Sequence, residues 1–422
     1  MVSINDFKKL SFLVYGLGIT GQSVVKFFKK NNIKKYYLYD DKFKKNKNLD
    51  AILKEVDFIV LSPGISLKTS KNKKKLANYQ NKIITDIDLI YLTKKNFRSI
   101  VVTGTNGKST TCKMIYHLLK KNNYKTLLGG NIGTPILSLN IQKNNFIVIE
   151  ASSFQLAHSK YICPDFAILL NITNDHLDWH GNMKNYIESK FKIFKLQKKN
   201  QFSIANKKLK KYFNKRKFLG KQFFPNLNSY VNLKIKIKNL YLKSLINDEN
   251  MATVFELSKI LKINEKTFIK SLNSFKGLPH RYEIFLKKKN CIFINDSKAT
   301  SFQATNFALQ NSKNIFWIVG GLPKENDRII LNKAKRNIIK SYIIGKNIKF
   351  FKRQLKNRVN YCISKNLKNS IIQILKDIKL FKKKNNIILL SPAAASYDQY
   401  LNFEKRGEEF KRLSKNYARK YI

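Results

Sequence analysis

The stretch SIVVTGTNGKSTTCKMIYHLL, Ser99 to Leu119, decides the fold. It reads as an apolar strand, a glycine turn and a helix. The turn carries Lys108, Ser109 and Thr110 directly after Gly104, Thr105, Asn106 and Gly107. Backbone N–H groups of a glycine-rich turn, backed by a helix N-terminus, form a site for phosphate oxygens. A lysine there places a point charge on terminal phosphates, and a following hydroxyl ligates Mg²⁺. The usual P-loop has a glycine where Val102 stands, and here Gly104 and Gly107 lie closer together than that pattern asks. An ordinary turn with a Ser or Thr N-cap explains either hydroxyl alone. It does not explain glycine, lysine and two hydroxyls at one strand-to-helix junction, so the turn predicts a nucleotide phosphate site.

Upstream, FLVYGLGITGQSVVKFF runs from a strand, Phe12 to Tyr15, through Gly16, Gly18 and Gly21 into an apolar helix. A second strand ends in Asp40 and Asp41, and a third, DFIVLSPGI, ends at Pro63 and Gly64. The glycine spacing with an acidic pair downstream fits a dinucleotide, another diphosphate, or simple close packing of strand on helix. Strands alternating with helical stretches predict parallel α/β units. The first spans 1–93. The second, 94–280, holds the opening stretch and two further buried strands, FIVIEASSFQL and FAILLNITNDHLDWHG. The third, 281–422, shows strands at CIFIND, IFWIVGG, SYIIG and NIILLSP. The Lys-rich 195–240 region is the least readable.

At 422 residues with 43% apolar content, the chain has material for several cores. No apolar run is long enough to span a bilayer, and the first residues lack a signal-peptide core, so a cytoplasmic protein without membrane partners is expected. Cys112, Cys163, Cys291 and Cys362 lack metal-ligand spacing, which predicts reduced thiols. The net charge of +57 raises the question of nucleic acid. Lysine rises together with asparagine and isoleucine along the whole chain, however, which marks a global bias rather than one basic face. The Lys-rich runs at 42–48, 68–75 and 207–217 read as solvated loops and helix faces.

Glu150 ends a strand in the P-loop segment, where a carboxylate commonly sits beside the Mg²⁺ of a nucleotide; a strand-end acid facing solvent is the bland reading. His176 shares a polar loop with Asp175 and Asp178, and metal or substrate contact weighs equally with a structural role. Lys190, in YIESKFKIF, reads by itself as one surface lysine among dozens.

Together these motifs resemble the Mur ligase family, the ATP-dependent amide-forming enzymes of peptidoglycan precursor synthesis. TGTNGKST resembles that family's shortened P-loop, in which Val102 is no anomaly. EASSFQL, NITNDHLDWHG and YIESK are similar to its central motifs in order and spacing. GLGITGQS with LSPGI, and FINDSKATS with LLSPAAASYDQYLNFEKRGEEF, resemble the D-glutamate-adding branch rather than the L-alanine-, diamino-acid- or D-Ala-D-Ala-adding ones. The folylpolyglutamate synthetases share the P-loop but lack this first domain. The resemblance implies a Rossmann-like N-terminal domain, a P-loop ATPase-like central domain and a Rossmann-like C-terminal domain. It implies addition of D-glutamate to UDP-N-acetylmuramoyl-L-alanine through an acyl phosphate, with ATP as co-substrate and two Mg²⁺ ions. A monomer with small-molecule partners and no nucleic acid is expected.

The same resemblance implies residue roles. Gly18, Thr20, Asp40, Asp41 and Gly64 surround the UDP portion, with Lys42 where the family often has arginine, and Asn131 touches substrate. Gly104 to Thr110 hold ATP, joined by Asn250, Arg281, Asp296 and Lys298. Ser109, Thr110, Glu150 and His176 serve the metal ions. Lys190 is the family's modified lysine, a neutral amine that captures CO₂ as a carbamate able to ligate Mg²⁺. Lys108, His176 and Lys190 are the catalytic set, His176 as the base for the incoming amine. Lys298, Thr300, Lys324, Ser396, Tyr397 and Phe403 form the D-glutamate site. Two departures stand out: the family's His-Asn pair appears as Ile246-Asn247, and GGLPKENDR is unlike the usual acidic-glycine loop. The alternatives are a Mur-type ligase with another acceptor, a nucleic-acid-stimulated ATPase suggested by charge, and a dehydrogenase suggested by GLGITG alone.

Overall fold

The computed structural model describes residues 4–42, 48–67, 70–93, 96–239, 241–242, 245–325, 327–381 and 385–421. In chain order the strands are β1 Phe12–Tyr15, β2 Tyr36–Tyr39, β3 Phe58–Leu61, β4 Ile83–Ile84, β5 Arg98–Thr103, β6 Thr126–Gly130, β7 Phe146–Glu150 and β8 Phe166–Leu169. Then follow β9 Phe202–Ala205, β10 Lys221–Phe223, β11 Glu283–Lys288, β12 Cys291–Asn295, β13 Ile315–Gly320, β14 Ile338–Ile344, β15 Tyr361–Lys365 and β16 Asn386–Leu390. They form three sheets, ordered β2-β1-β3-β4, β10-β9-β8-β5-β7-β6 and β11-β12-β16-β13-β14-β15. The first two are wholly parallel; the third is parallel except for the antiparallel pair β11–β12.

Continuous apolar runs in the sequence mark strands covered on both faces, as helix-flanked parallel sheets require. In β1, Phe12 and Val14 join one core while Leu13 and Tyr15 join another. In β5, Val101 faces one side and Ile100 and Val102 the other. In β13, Phe316 and Ile318 alternate in the same way with Trp317 and Val319. The 195–240 region yields β9, β10 and the helix Leu227–Lys236, which extend the second sheet and cover it. The lysines of the 207–217 run are exposed, as a solvated helix face requires. Residues 43–47 and 68–69 of the other two runs lie outside the described residues.

The chain divides into two compact units, Met1–Phe275 and Lys276–Ile422. The first unit contains two sheets because one core is continuous between them, from Phe12, Val60 and Ile84 to Val101, Ile147 and Ala167. The helix Asp86–Leu92 lies in that join with every residue buried. Burying it strands two carboxylates, and each is answered by hydrogen bonds. Asp88 accepts from the Thr85 backbone N–H at 2.9 Å, Ser159 Oγ at 2.7 Å, and the Lys160 and Tyr161 backbone N–H groups at 3.0 and 2.7 Å. Asp86 accepts from Gln155 Nε2 at 3.2 and 3.4 Å. Among the described residues, no helix is long and apolar enough to cross a membrane.

Candidate active site

In the first unit, parallel register brings the loops that matter to one end of the second sheet. Val102 pairs with Glu150 and with Ile168, so the turn after β5 emerges beside the ends of β7 and β8. Gly107 caps the helix Lys108–Lys121 in the left-handed region, φ +84°. A Cβ there would also lie 2.3 Å from Asn250 Oδ1, so both backbone and space demand glycine. Asn171 fixes the turn from the β8 side. Its Oδ1 accepts from the Asn106 N–H at 2.8 Å, its Nδ2 donates to Asn106 O at 3.1 Å, and its carbonyl accepts from the Thr105 N–H at 3.0 Å.

Lys108 folds back on its own loop, donating from Nζ to the carbonyls of Gly104 and Thr105, each at 2.9 Å. Lys190 reaches the same loop from the helix Met183–Lys195. It is 1% exposed, donates from Nζ to Gly104 O at 2.8 Å and lies 4.6 Å above the Tyr186 ring. Burial, reinforced by the Lys108 charge and opposed by Asp175, pushes its amine down to about 7. Tyr186 OH and Thr105 Oγ1 hydrogen-bond at 2.9 Å, which fixes the floor on which the amine rests.

Glu150 is 2% exposed and accepts from Asn131 Nδ2 at 2.9 Å through Oε1. Its Oε2 is buried with no hydrogen-bond partner among the described residues. A desolvated carboxylate oxygen of this kind suits a cation. Among the described residues, no three His, Cys, Asp or Glu converge to cage a metal. Mg²⁺ needs no such cage, since it keeps waters and binds through one or two carboxylates together with substrate phosphates. His176 is half exposed, in the left-handed region at φ 52°, with its ring 4.7 Å from Phe154 and its Nε2 3.4 Å from Asp175 Oδ2.

The glycine turn of the first sheet is packed differently. A Cβ on Gly21 would sit 1.9 Å from Gly16 O, whereas Gly18 and Gly64 face open space. Asp40 accepts from the Leu17 N–H at 2.7 Å and the Lys42 N–H at 3.0 Å, and these donors hold its carboxyl below the usual range. Asp41 accepts from Tyr15 OH at 2.7 Å and from Asn72 Nδ2 at 3.0 Å. Thr20 lies in the first turn of the helix Ile19–Lys30, which Gly18 precedes. Both carboxylates therefore shape this loop.

The second unit gathers its own set at the ends of β12, β13 and β16. Asp296 accepts from Ser391 Oγ at 2.7 Å and the Tyr282 N–H at 3.1 Å, and burial pushes it up to about 7. Lys298 Nζ stands 3.8 Å over the Phe403 ring. Ser396 is buried, Thr300 half-buried, and Lys324 and Tyr397 exposed. The Arg281 N–H donates to Leu278 O at 3.3 Å in the turn leading to β11. Arg406, in NFEKRGEEF, is 1% exposed and ties this set together. It donates to Ser297 Oγ at 3.0 Å, and to Ser297 O and Ala394 O at 2.9 Å each. A basic cavity of about 1200 Å³, lined by Lys335, Arg336, Lys340 and Arg358, opens at the opposite strand ends, and its lining among the described residues includes no Asp or Glu.

A model of the Mur ligase middle domain matches residues 102–270. The UDP-N-acetylmuramoylalanine--D-glutamate ligase of Rickettsia felis is 35% identical over 98% of this chain and 99% of its own length. The chain belongs to the Mur ligase family. A second relative of the same name, from a Wolbachia of Brugia malayi, is 33% identical over 98% of this chain and 97% of its own. Among solved Mur ligases, MurF from Thermotoga maritima in complex with ADP covers 98% of this chain and 99% of its own, with a TM-score of 0.58 at 17% identity. The Thermotoga maritima UDP-N-acetylmuramate-alanine ligase MurC covers 97% and 100%, at 0.57 and 16%. These two share the fold: α/β domains in series on parallel sheets.

Asn171, Asp86, Asp88 and Arg406 were not singled out from the sequence. Asn171 carried a usable signal, an amide at the end of an apolar strand inside a Mur ligase motif. Arg406 lies inside the quoted NFEKRGEEF motif, whereas Asp86 and Asp88 lie in none of the motifs.

Proposed function

We propose that this chain joins D-glutamate to UDP-N-acetylmuramoyl-L-alanine by an amide bond, at the expense of ATP. The observation that carries the reading is Lys190, a lysine buried against a phosphate-type loop with its amine pushed down to about 7. An amine whose neutral form is within reach near neutral pH suits capture of CO₂ as a carbamate. The relatives named for the same reaction support the acceptor and donor.

A carboxylate is a poor acyl donor, because oxide would have to leave. Phosphorylation of the UDP substrate's carboxylate by ATP gives an acyl phosphate; the amine of D-glutamate attacks it and expels phosphate. The loop Gly104–Gly107 offers N–H groups to the phosphates, and Lys108 exchanges its loop carbonyls for the charge on the transferring group. Glu150, Ser109, Thr110, His176 and carbamylated Lys190 would hold Mg²⁺, which supplies charge neutralisation between carboxylate and γ-phosphate. The neutral His176 imidazole has a single lone pair, so it serves either the cation or, half exposed beside Asp175, the proton of the D-glutamate ammonium. Asn131 touches the UDP substrate, whose nucleotide lies against Gly18, Thr20, Asp40, Asp41 and Gly64. Asn250, Arg281, Asp296 and Lys298 border the ATP. Thr300, Lys324, Ser396, Tyr397 and Phe403, with Lys298, take D-glutamate.

Three separate sheets support a UDP-substrate domain over 1–93, an ATP domain over 94–280 and an amino-acid domain over 281–422. We further propose a monomer working in the cytoplasm, since the relatives named for the same reaction act on a nucleotide-linked precursor.

The test is phosphate release from ATP with Mg²⁺ and UDP-N-acetylmuramoyl-L-alanine, with D-glutamate, L-glutamate or no amino acid. Release that needs both the UDP substrate and D-glutamate is expected. Release with another amino acid moves the acceptor assignment, and release driven by nucleic acid alone overturns the reading.

A further inference from the structure

We infer that Tyr241 is a positioning residue for the nucleotide, acting through Thr110; this rests on the ATP reading above. Thr110 sits in the first turn of the helix that the phosphate loop starts, 3% exposed. Its Oγ1 lies 3.2 Å from Tyr241 OH, a side chain that reaches it from far along the chain. A threonine hydroxyl has one proton to donate and two lone pairs, so a single fixed partner decides which of them faces the loop mouth. Tyr241 is thus placed to set the direction in which Thr110 meets a phosphate or its cation.

The segment carrying Tyr241 is itself anchored to the loop. Leu242 is fully buried in the core under the helix Lys108–Lys121. Asn247 Nδ2 donates to Tyr241 O at 2.8 Å, and Asn250 Nδ2 donates to Asn247 Oδ1 at 3.3 Å. Asn250 then fills the space that the absent Cβ of Gly107 leaves. Asn250 and Tyr241 therefore meet the start of this helix at two points, Gly107 and Thr110. In this chain the first residue of the family's His-Asn pair is Ile246, which offers no polar group. Tyr241 OH supplies a polar contact from this segment to the helix start.

The test is Tyr241→Phe, which keeps the ring and removes only the hydroxyl, with Tyr241→Leu as a second variant. Steady-state constants are measured for ATP, UDP-N-acetylmuramoyl-L-alanine and D-glutamate, and ADP binding is measured directly by calorimetry. One neutral hydrogen bond corresponds to about a three- to tenfold effect. Tyr241→Phe is expected to raise the KM for ATP and the Kd for ADP by that factor, leaving both other KM values and the unfolding midpoint unchanged. In a double-mutant cycle, Thr110→Ala is expected to abolish the effect of Tyr241→Phe. An unchanged KM for ATP, or equal changes in all three KM values, overturns the role of Tyr241 alone. If the native protein binds no adenine nucleotide, the ATP reading falls and takes this inference with it.

Discussion

Lys190 Nζ and Lys108 Nζ donate to the same carbonyl oxygen, that of Gly104, at 2.8 and 2.9 Å. Burial is the larger cost of charging Lys190, the Lys108 charge adds to it, and together they push its amine down to about 7. Lys190→Ala is expected to lose at least about 100-fold in activity, the scale of a lost transition-state charge contact. Adding a small carboxylic acid is expected to restore part of it, because the missing anion is supplied from solution. Full activity of the alanine variant without additive would remove any role for a carbamate.

The two glycines at the first sheet separate packing from binding. Gly21→Ala puts a methyl group 1.9 Å from Gly16 O, a backbone atom that cannot swing aside. A loss of about 2 kcal/mol or more in urea unfolding is expected. Gly18→Ala meets nothing within 4 Å at a backbone angle, φ −67°, that alanine adopts freely. Its stability is expected to stay within about 0.5 kcal/mol of the native value, while affinity for the UDP substrate falls. Equal stability of the two variants would mean that the turn relaxes, and equal substrate affinity would clear Gly18 of contact.

Asp86 gives a pH dependence with a definite sign. Burial, with the neighbouring Asp88 charge, pushes its carboxyl up from 3.8 to about 6, against the hydrogen bonds from Gln155 and the backbone. Between those values the folded chain holds a proton that the unfolded chain has released. Stability therefore falls as pH rises from about 4 to 6, and the penalty is complete above that window. Asp86→Asn is expected to stabilise the protein by about 1–3 kcal/mol at pH 7.5 and by much less at pH 4.5. Denaturant titrations at both pH values check it; the same difference at each would show that the carboxyl is not the cause.

What the sequence made legible follows a physical division. Strands β1, β3, β7, β8, β12, β13 and β16 lie in apolar runs, because a two-sided parallel strand writes its burial into every residue. Gly104, Gly107, Lys108 and Glu150 were legible because local geometry dictates their type. Asp86 and Asp88 were not, since the helix that carries them has an ordinary charged start. Its burial comes from Gln155 and from Ser159 to Tyr161, far along the chain. Arg406 sits in a run of charges that reads as a solvated helix, and its partners Ser297 and Ala394 come from loops after β12 and β16. Buried polar groups are specified by distant partners, which a local pattern does not encode.

Substitution of Ser396 tests the proposed D-glutamate site apart from the proposed nucleotide contacts of the second unit. It is 2% exposed, at the start of the turn whose Gln399 and Tyr400 N–H groups donate to its carbonyl at 3.0 and 2.8 Å. Its backbone is thus held in the turn through its carbonyl. The turn is kept in place by Arg406, which donates to Ala394 O at 2.9 Å, so removing the hydroxyl leaves the scaffold intact. Asp296 draws its hydrogen bonds from Ser391 and Tyr282 and is indifferent to residue 396. Ser396→Ala is therefore expected to raise the KM for D-glutamate by about 10- to 100-fold, the range for a hydrogen bond to a charged group. The KM for ATP is expected to change by less than about twofold, and the unfolding midpoint not at all. A comparable rise in both KM values would place Ser396 in the architecture of the loop and leave D-glutamate to another residue.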